Sequence, residues 1–486
     1  MGFVLTILYI VATIISPDQF GKEWATYHAL AYLAGITVLA SLPSMWTYSY
    51  WKSSVQTFLL LGLVVAITLS QLARGWLGGV LESWRIFLPS AAVFFFIVVN
   101  VTTIRRLKIL TLAAVASCLV VAVEALCGYY AGYQGEMFIL STNVYSLNDE
   151  VVGQLIRIRG AGFLSDPNDL AQILLMALPL AFIAWRRGRV VANFFVVLVP
   201  AGLLLWTTYL THSRGGLIAL AAVALMAARK KLGTTASMVL AGVFIFGMLA
   251  LDFTGGRGIS AADGTDRLEA WANGLEMFKS APLFGVGFNG FTDFLDITAH
   301  NSFVLCLAEL GLLGSTLWMA LLVTTTTNLN RIIGGQKKKR AKRFFGLLGL
   351  FEKKYIDSDR ALDRDAAPSE ETIASKDAFA CGVLPAMVLA NPTETETKIE
   401  PAQPSIVPQH WVVAIRLALV SFMTTSWFLS RSYTTTMYLV LGLATAAIAL
   451  QRCTNKWRDR GHWIFSTMTV EVTMIILIYG LVRLRH

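Results

Sequence analysis

Apolar runs long enough to cross a bilayer recur along nearly the whole chain, and they constrain its fold more than any other feature. A membrane-spanning helix needs about 17–25 predominantly apolar residues. With 56% hydrophobic and only 14% charged residues, the sequence predicts an all-α polytopic membrane protein of about 12–13 transmembrane helices. The predicted spans cover residues 3–16, 28–44, 55–72, 86–103, 108–130, 169–185, 190–210, 215–229, 236–251, 300–325, 411–430, 432–450 and 463–483.

Lysine and arginine collect beside alternate spans, and this pattern predicts the orientation. Short loops that are rich in these residues stay in the cytoplasm. The N-terminus is therefore predicted inside, and the far side is the periplasm if the cell is Gram-negative. Basic clusters follow the fourth, sixth, eighth and tenth spans, at residues 105–108, 186–189, 229–231 and 337–343. The predicted outer loops are residues 73–85, 130–168, 211–214 and 252–300.

The net charge of +10 does not indicate nucleic-acid binding, because the excess is concentrated in the cytoplasmic anchors rather than on one basic face. The five cysteines show no metal-ligand spacing, and three of them fall inside predicted spans. The sequence therefore predicts no zinc site and no disulfide framework.

Residues 331–408 change character, with a KKKRAKR run, mixed charges, prolines and a TETETK repeat. This composition predicts a cytoplasmic, disordered linker, with residues 344–351 as an interfacial helix. The predicted domains are a transmembrane catalytic core at 1–330, the linker, and C-terminal transmembrane helices at 409–486. Whether residues 463–483 cross fully is left open, because a crossing would place their basic end outside, against the orientation rule.

The longest outer loop, residues 252–300, is predicted to contain an amphipathic helix. Residues 265–280 place apolar side chains at helical spacing, with Thr265 or Asp266 as the cap. We expect this helix to lie on the membrane. The following GVGFNG (285–290) has the letters of a dinucleotide-binding fingerprint. It follows no predicted strand and opens no crossover helix, so it does not indicate a dinucleotide site. Its glycines indicate a tight turn or a close approach of the backbone to a ligand.

His300 and Asn301 stand where this loop meets the next span. Two interpretations are open for the pair. In the first, Asn301 or His300 caps the helix while the imidazole lies at the membrane interface. Alternatively, the imidazole is a base of near-neutral pKa that takes a proton from an acceptor hydroxyl.

Several arginines lie on the predicted outer side, where the orientation rule does not require them. Arg157 and Arg159 precede an Asp-Pro-Asn-Asp sequence that is typical of a helix start. Arg214 lies in THSRGG, whose short loop has no acidic residue, so an anionic ligand, a distant carboxylate or solvent are its candidate partners. Arg267 is either a solvated charge or a member of the same anion site.

Taken in order, these motifs resemble the O-antigen ligase and polymerase family of bacterial membrane glycosyltransferases. The resemblance covers about residues 55–325, and residues 411–450 match only in span count and texture. The chain departs from the family pattern in its 331–408 insertion and its last apolar run. The motifs are R-G-x-G-F-x-x-D-P-N-D-L-A (159–171), S-R-G-G (213–216), D-R-L-x-A-W (266–271), P-L-F-G-V-G (282–287) and A-H-N-S-F-V-L-x-L-A-E-L-G-L-L-G (299–314).

The resemblance implies transfer of a glycan from undecaprenyl pyrophosphate to an acceptor hydroxyl, at the outer face of the bacterial inner membrane and without a metal or other cofactor. It assigns the base to His300 and the pyrophosphate contacts to Arg159, Arg214 and Arg267. Arg157 and Asn301 are candidate supporting residues. Attack at the anomeric carbon then predicts inversion.

A transporter or flippase for a lipid-linked saccharide is the alternative from another class, with the arginines binding phosphate and His300 relaying protons. The sequence does not identify the acceptor. Lipid A core, a growing polysaccharide and a protein hydroxyl would all use the same base and the same anion-binding arginines.

Overall fold

The computed structural model describes residues 1–17, 29–48, 50–145, 151–250, 261–347, 406–451 and 462–484. Within these ranges the protein is a bundle of long helices, numbered here in chain order. They are α1 (Gly2–Ile15), α2 (Ala29–Thr47), α3 (Val55–Ala73), α4 (Leu77–Asn100), α5 (Ile104–Ala131), α6 (Pro167–Ala181), α7 (Val190–Leu210), α8 (Arg214–Leu232), α9 (Thr234–Ala250), α10 (Ala261–Ser280), α11 (Ser302–Leu347), α12 (Gln409–Ser426), α13 (Thr435–Gln451) and α14 (His462–Arg483).

A helix occupies each of the predicted spans, and the predicted all-α polytopic fold is confirmed. Eight helices of the described part are long and apolar enough to cross a bilayer, and three shorter ones are also apolar. Such helices satisfy every backbone hydrogen bond internally, as a lipid environment requires. The chain is a multi-pass membrane protein.

Helix α11 lies at the centre of the bundle and packs against α3, α10, α12, α13 and α14. Its Trp318 is 1% exposed and donates a hydrogen bond to the carbonyl of Ser432 at 3.0 Å. Helix α14 is attached to α11 through a buried carboxylate. Ser315 and Thr316 each donate a hydroxyl hydrogen bond of 2.6 Å to Glu471.

Helix α11 also extends beyond its predicted span. It continues as a helix to Leu347, through the first residues of the predicted linker, and residues 348–405 lie outside the described ranges. The predicted interfacial helix at 344–351 therefore begins inside α11, and its second half is not described. The linker prediction stays a prediction for the remaining residues.

The outer loop at 130–168 contains a β-hairpin that the sequence interpretation did not include. Strands β1 (Ile139–Tyr145) and β2 (Val151–Ile158) pair antiparallel, with Ile139 opposite Ile158 and a register shift at Val144/Tyr145. Arg157 lies in β2 opposite Leu140, and Arg159 follows the last residue of the strand, so the register of the hairpin determines where these two arginines point.

The predicted amphipathic helix exists as α10, but two details of its prediction were wrong. It begins at Ala261 rather than at a cap on Thr265 or Asp266. Its apolar face packs against protein instead of lying on the membrane, because Trp271 and Leu275 are buried in the main core. Gly274 allows the close approach, since a Cβ there would lie 2.5 Å from a methyl group of Val304 on α11.

Candidate active site

Four segments from the predicted outer side meet at one end of the bundle. They are the first turns of α6, α8 and α11, together with the connection between α12 and α13, residues 427–434. This connection touches each helix start. Arg431 pairs with Asp169 on α6, Leu429 accepts a hydrogen bond from Ser302 on α11, and Phe428 packs against Gly215 on α8.

His300 is held by hydrogen bonds on both sides of its backbone. The indole Nε1 of Trp271 donates to the carbonyl of Ala299 at 2.9 Å. Asn301 caps α11, because its Oδ1 accepts from the amides of Phe303 and Val304 at 2.9 and 3.2 Å. His300 itself has a φ of 46°, a left-handed conformation that costs a non-glycine residue about 1 kcal/mol or more. The surrounding contacts therefore hold the backbone of His300 in this conformation.

The charges around His300 favour its neutral form. The residue is exposed overall, but partial desolvation lowers the pKa of His300 below its ordinary value of 6.5. The positive charges of Arg267 and Arg431 lower this pKa further, whereas the carboxylate of Asp166 raises it. At neutral pH the imidazole is therefore able to accept a proton.

Arg157 connects two of the sequence motifs. Its Nε donates to the carbonyl of Thr211 at 2.9 Å, and its Nη2 donates to Oδ1 of Asn168 at 3.1 Å. It is 5% exposed. The guanidinium thus joins the start of α6 to the start of α8 from a buried position, where each hydrogen bond satisfies a donor that water cannot reach.

Arg159 occupies a different place, although only one residue separates it from Arg157. Its Nε and Nη2 donate to the carbonyls of Met137 and Glu136, at 3.0 and 2.8 Å. These carbonyls belong to the short helical turn that precedes the hairpin. The structure therefore brings Arg157, rather than the guanidinium of Arg159, into contact with the other motifs.

Arg214 and Arg267 are both half-buried near the same helix ends. Arg214 is the first residue of α8, directly after Ser213, whose hydroxyl accepts from the amide of Gly216 at 3.2 Å. The two glycines that follow Arg214 let α8 pack against Phe428 and Ala171. Arg267 lies on α10 one helical turn before Trp271, and its charge acts on His300.

Asp166 has the capping role that the sequence indicated, because its Oδ1 accepts from the amide of Asn168 at 2.7 Å. Asp169, in the first turn of α6, has a different role. It is 3% exposed and forms a two-point ion pair with Arg431, whose Nε donates to Oδ1 at 2.5 Å and whose Nη2 contacts Oδ2. The ion pair joins α6 to the α12–α13 connection.

Sequence reasoning missed Arg431, although a signal for it was present. Arg431 stands between two predicted spans on the predicted outer side, and an outward arginine was the argument applied to Arg157 and Arg159. Burial lowers the pKa of Arg431, but the adjacent Asp169 carboxylate outweighs this effect and raises that pKa above its ordinary value. The guanidinium is fully charged.

The glycines of GVGFNG allow a close approach to backbone, and the neighbour is the protein's own helix α11 rather than a ligand. Gly285 has a φ of 73°, and a Cβ there would lie 2.3 Å from the backbone of Glu309. The amides of Val286 and Gly287 donate to the carbonyls of Ala308 and Glu309, at 2.9 and 3.1 Å. This contact falls where α11 departs from helical geometry, at Gly311.

Comparison with known proteins gives one result for this region. Residues 199–319 match the family model described as O-antigen ligase. No curated protein matches the chain. The matched segment includes Arg214, Arg267 and His300 but excludes Arg157, Arg159 and Arg431. Over residues 199–319 the chain is similar to the O-antigen ligases, and the resemblance that its motifs indicate is confirmed.

Proposed function

We propose that this protein transfers a glycan from undecaprenyl pyrophosphate to an acceptor hydroxyl, at the outer face of the bacterial inner membrane. The family match supports an activity of the O-antigen ligase or polymerase type. The observation that carries the finer proposal is the cluster around His300. The positive charges of Arg267 and Arg431 act on the imidazole and favour its neutral form. Arg214 begins α8, whose start packs against the connection that carries Arg431.

In the proposed reaction, His300 Nδ1 or Nε2 takes the proton of the acceptor hydroxyl. The acceptor oxygen forms a bond to the anomeric carbon while the bond from that carbon to the phosphate oxygen breaks. The electron pair of the broken bond leaves with undecaprenyl pyrophosphate. A single displacement of this kind inverts the anomeric configuration.

The arginines stabilise the charge that develops on the leaving pyrophosphate. Arg214 and Arg267 are the proposed direct contacts, and Arg157 holds the two helix starts together. Removing one such positioned donor typically costs about 3–4 kcal/mol of transition-state stabilisation. Asn301 is fully buried, so we assign it a positioning role through the backbone of His300.

Arg159 remains a proposed pyrophosphate residue on the strength of its motif alone. In the present arrangement its guanidinium binds two backbone carbonyls. Binding a phosphate with the same nitrogens requires exchange of those hydrogen bonds.

We also propose that the catalytic unit includes residues 409–451 together with residues 1–330. The connection between α12 and α13 provides contacts to α6, α8 and α11. Without it, Asp169 would be a buried carboxylate without the guanidinium that now neutralises it, which is an unfavourable state.

The test uses purified full-length protein in vesicles with an undecaprenyl-pyrophosphate-linked oligosaccharide. Lipid A core, free oligosaccharide and a hydroxyl-bearing peptide are supplied separately as acceptors. The expected result is a new glycosidic product of inverted configuration with one acceptor, accompanied by release of undecaprenyl pyrophosphate. Movement of the unchanged lipid-linked glycan between leaflets, without any new product, would contradict transfer and identify a carrier.

A further inference from the structure

The position of Arg431 is determined by a set of hydrogen bonds to the start of α11. The amide of Arg431 donates to the hydroxyl of Ser302 at 2.8 Å, and that hydroxyl donates to the carbonyl of Leu429 at 2.6 Å. Ser432 donates its hydroxyl to the carbonyl of Ser302 at 2.7 Å. Ser302 is two residues after His300. These hydrogen bonds therefore join the backbone at Arg431 to the segment that carries His300.

The guanidinium of Arg431 uses only one of its edges on protein. Nε and Nη2 face the carboxylate of Asp169. The side chain of Asp169 is 4% exposed, whereas the side chain of Arg431 is 36% exposed. Among the described residues, no hydrogen bond from Nη1 is seen. A guanidinium has further donors beyond the edge that Asp169 binds, so Asp169 fixes the orientation of the group while its Nη1 donors stay available in a partly exposed side chain.

The charge balance around this edge favours an anion. Arg267 and Arg431 both lower the pKa of His300, so both positive charges act on the imidazole. Asp169 and Asp166 are the acidic groups that act on Arg431. Asp169 is occupied by the ion pair, and Asp166 accepts a hydrogen bond from the amide of Asn168. Arg157 and Arg214 add further positive charge at the starts of α6 and α8.

We propose that Arg431 is a further anion-binding residue of this site, and that its outer edge binds a phosphoryl oxygen of the pyrophosphate donor. Asp169 is then a positioning residue that acts through Arg431. This inference rests on the proposed function, because that function supplies the pyrophosphate. A planar guanidinium held at one edge suits phosphate better than a mobile ammonium does.

The test compares binding of farnesyl pyrophosphate, a short soluble prenyl pyrophosphate, to full-length protein in lipid nanodiscs. Arg431→Lys keeps a positive charge beside Asp169, so the buried carboxylate is not left without a cation, but it removes the second donor edge. We expect about a tenfold weaker binding for Arg431→Lys, with an unfolding midpoint that falls much less than in Asp169→Arg. Arg85→Lys is the matched control, since Arg85 is also on the predicted outer side and is largely exposed.

The exchanged pair, Asp169→Arg with Arg431→Asp, separates binding from a purely structural role. It restores the ion pair, and we expect it to restore the unfolding midpoint relative to Asp169→Arg alone while binding stays weak. Wild-type affinity in Arg431→Lys, or recovery of affinity in the exchanged pair, would overturn this inference alone. Absence of saturable binding by the wild-type protein would overturn the proposed donor class and this inference with it.

Discussion

Trp271 donates a hydrogen bond from its indole nitrogen to the carbonyl of Ala299, at 2.9 Å. This bond attaches helix α10, which carries Arg267, to the residue immediately before His300. The same indole packs edge-on against Trp427, with ring centroids 5.8 Å apart. One side chain thus connects α10, the His300 backbone and the α12–α13 connection.

Replacing Trp271 with Phe should lower the transfer rate more than it lowers stability. Phe retains an aromatic ring against Trp427 but loses the donor, which costs about 1 kcal/mol of folding free energy. Because misplacing a catalytic group is costly, we expect transfer to fall about tenfold or more. The measurements are the transfer rate and the thermal unfolding midpoint. Trp206→Phe, at an exposed indole, is the control, and equal rates in the two variants would argue against this role.

The transfer rate should fall at acidic pH, as the imidazole of His300 becomes protonated. Its pKa lies below 6.5, so the base is unprotonated at neutral pH and the fall occurs below that value. Arg267→Gln removes a lowering charge and should move the midpoint to higher pH. Asp166→Asn removes a raising charge and should move it to lower pH. Arg431 also acts on this imidazole and lowers its pKa. The same pH midpoint of transfer in the wild type, Arg267→Gln and Asp166→Asn would refute the assignment of His300 as the base.

Gly285→Ala should destabilise the protein much more than Gly75→Ala. Both glycines have a φ in the left-handed region, at 73° and 78°, but only a Cβ on Gly285 would meet backbone, 2.3 Å away at Glu309. The shared backbone strain costs about 1–2 kcal/mol, and overpacking at Gly285 adds about 1–3 kcal/mol. Thermal unfolding of the two variants checks this difference. Similar midpoints would mean that the loop and α11 do not pack closely.

Arg157→Lys and Arg159→Lys separate the two neighbouring arginines. Lysine at 157 cannot reproduce the two directed hydrogen bonds to Thr211 and Asn168, so we expect loss of both stability and transfer. Lysine at 159 should reduce transfer only if that residue leaves its carbonyls to bind phosphate. The comparison uses transfer rates normalised to folded protein. A larger loss of transfer in Arg159→Lys would support the assignment of Arg159 to the pyrophosphate.

Hydropathy predicted the positions of the helices well, because a span must be continuously apolar over its whole length. It predicted the direction of the α10 apolar face poorly. Lipid and protein interior are both apolar, so Leu268, Trp271 and Leu275 suit either one equally. The hairpin at 139–158 was missed because strands in an outer loop lack the long apolar signal that identifies spans.

Only part of the site could be predicted from the sequence, for a related reason. His300, Arg214 and Arg267 stand in recognisable local motifs, but Arg431 has none and gains its partner 262 positions away in the chain. The choice between Arg157 and Arg159 depends on the hairpin register. No local pattern specifies that register at single-residue accuracy.

The central claim is that His300 acts as the base, and the most direct measurement is glycan transfer by His300→Ala beside His212→Ala. His212 is a matched control, because it also has a left-handed φ, 49° against 46°, and also precedes a helix-capping residue. With both proteins folded and at equal abundance, His300→Ala should lower transfer by about 10²–10⁴-fold. His212→Ala should stay within about twofold of wild type, because the proposed reaction assigns no proton transfer to His212. Transfer by His300→Ala at the wild-type rate would contradict the account.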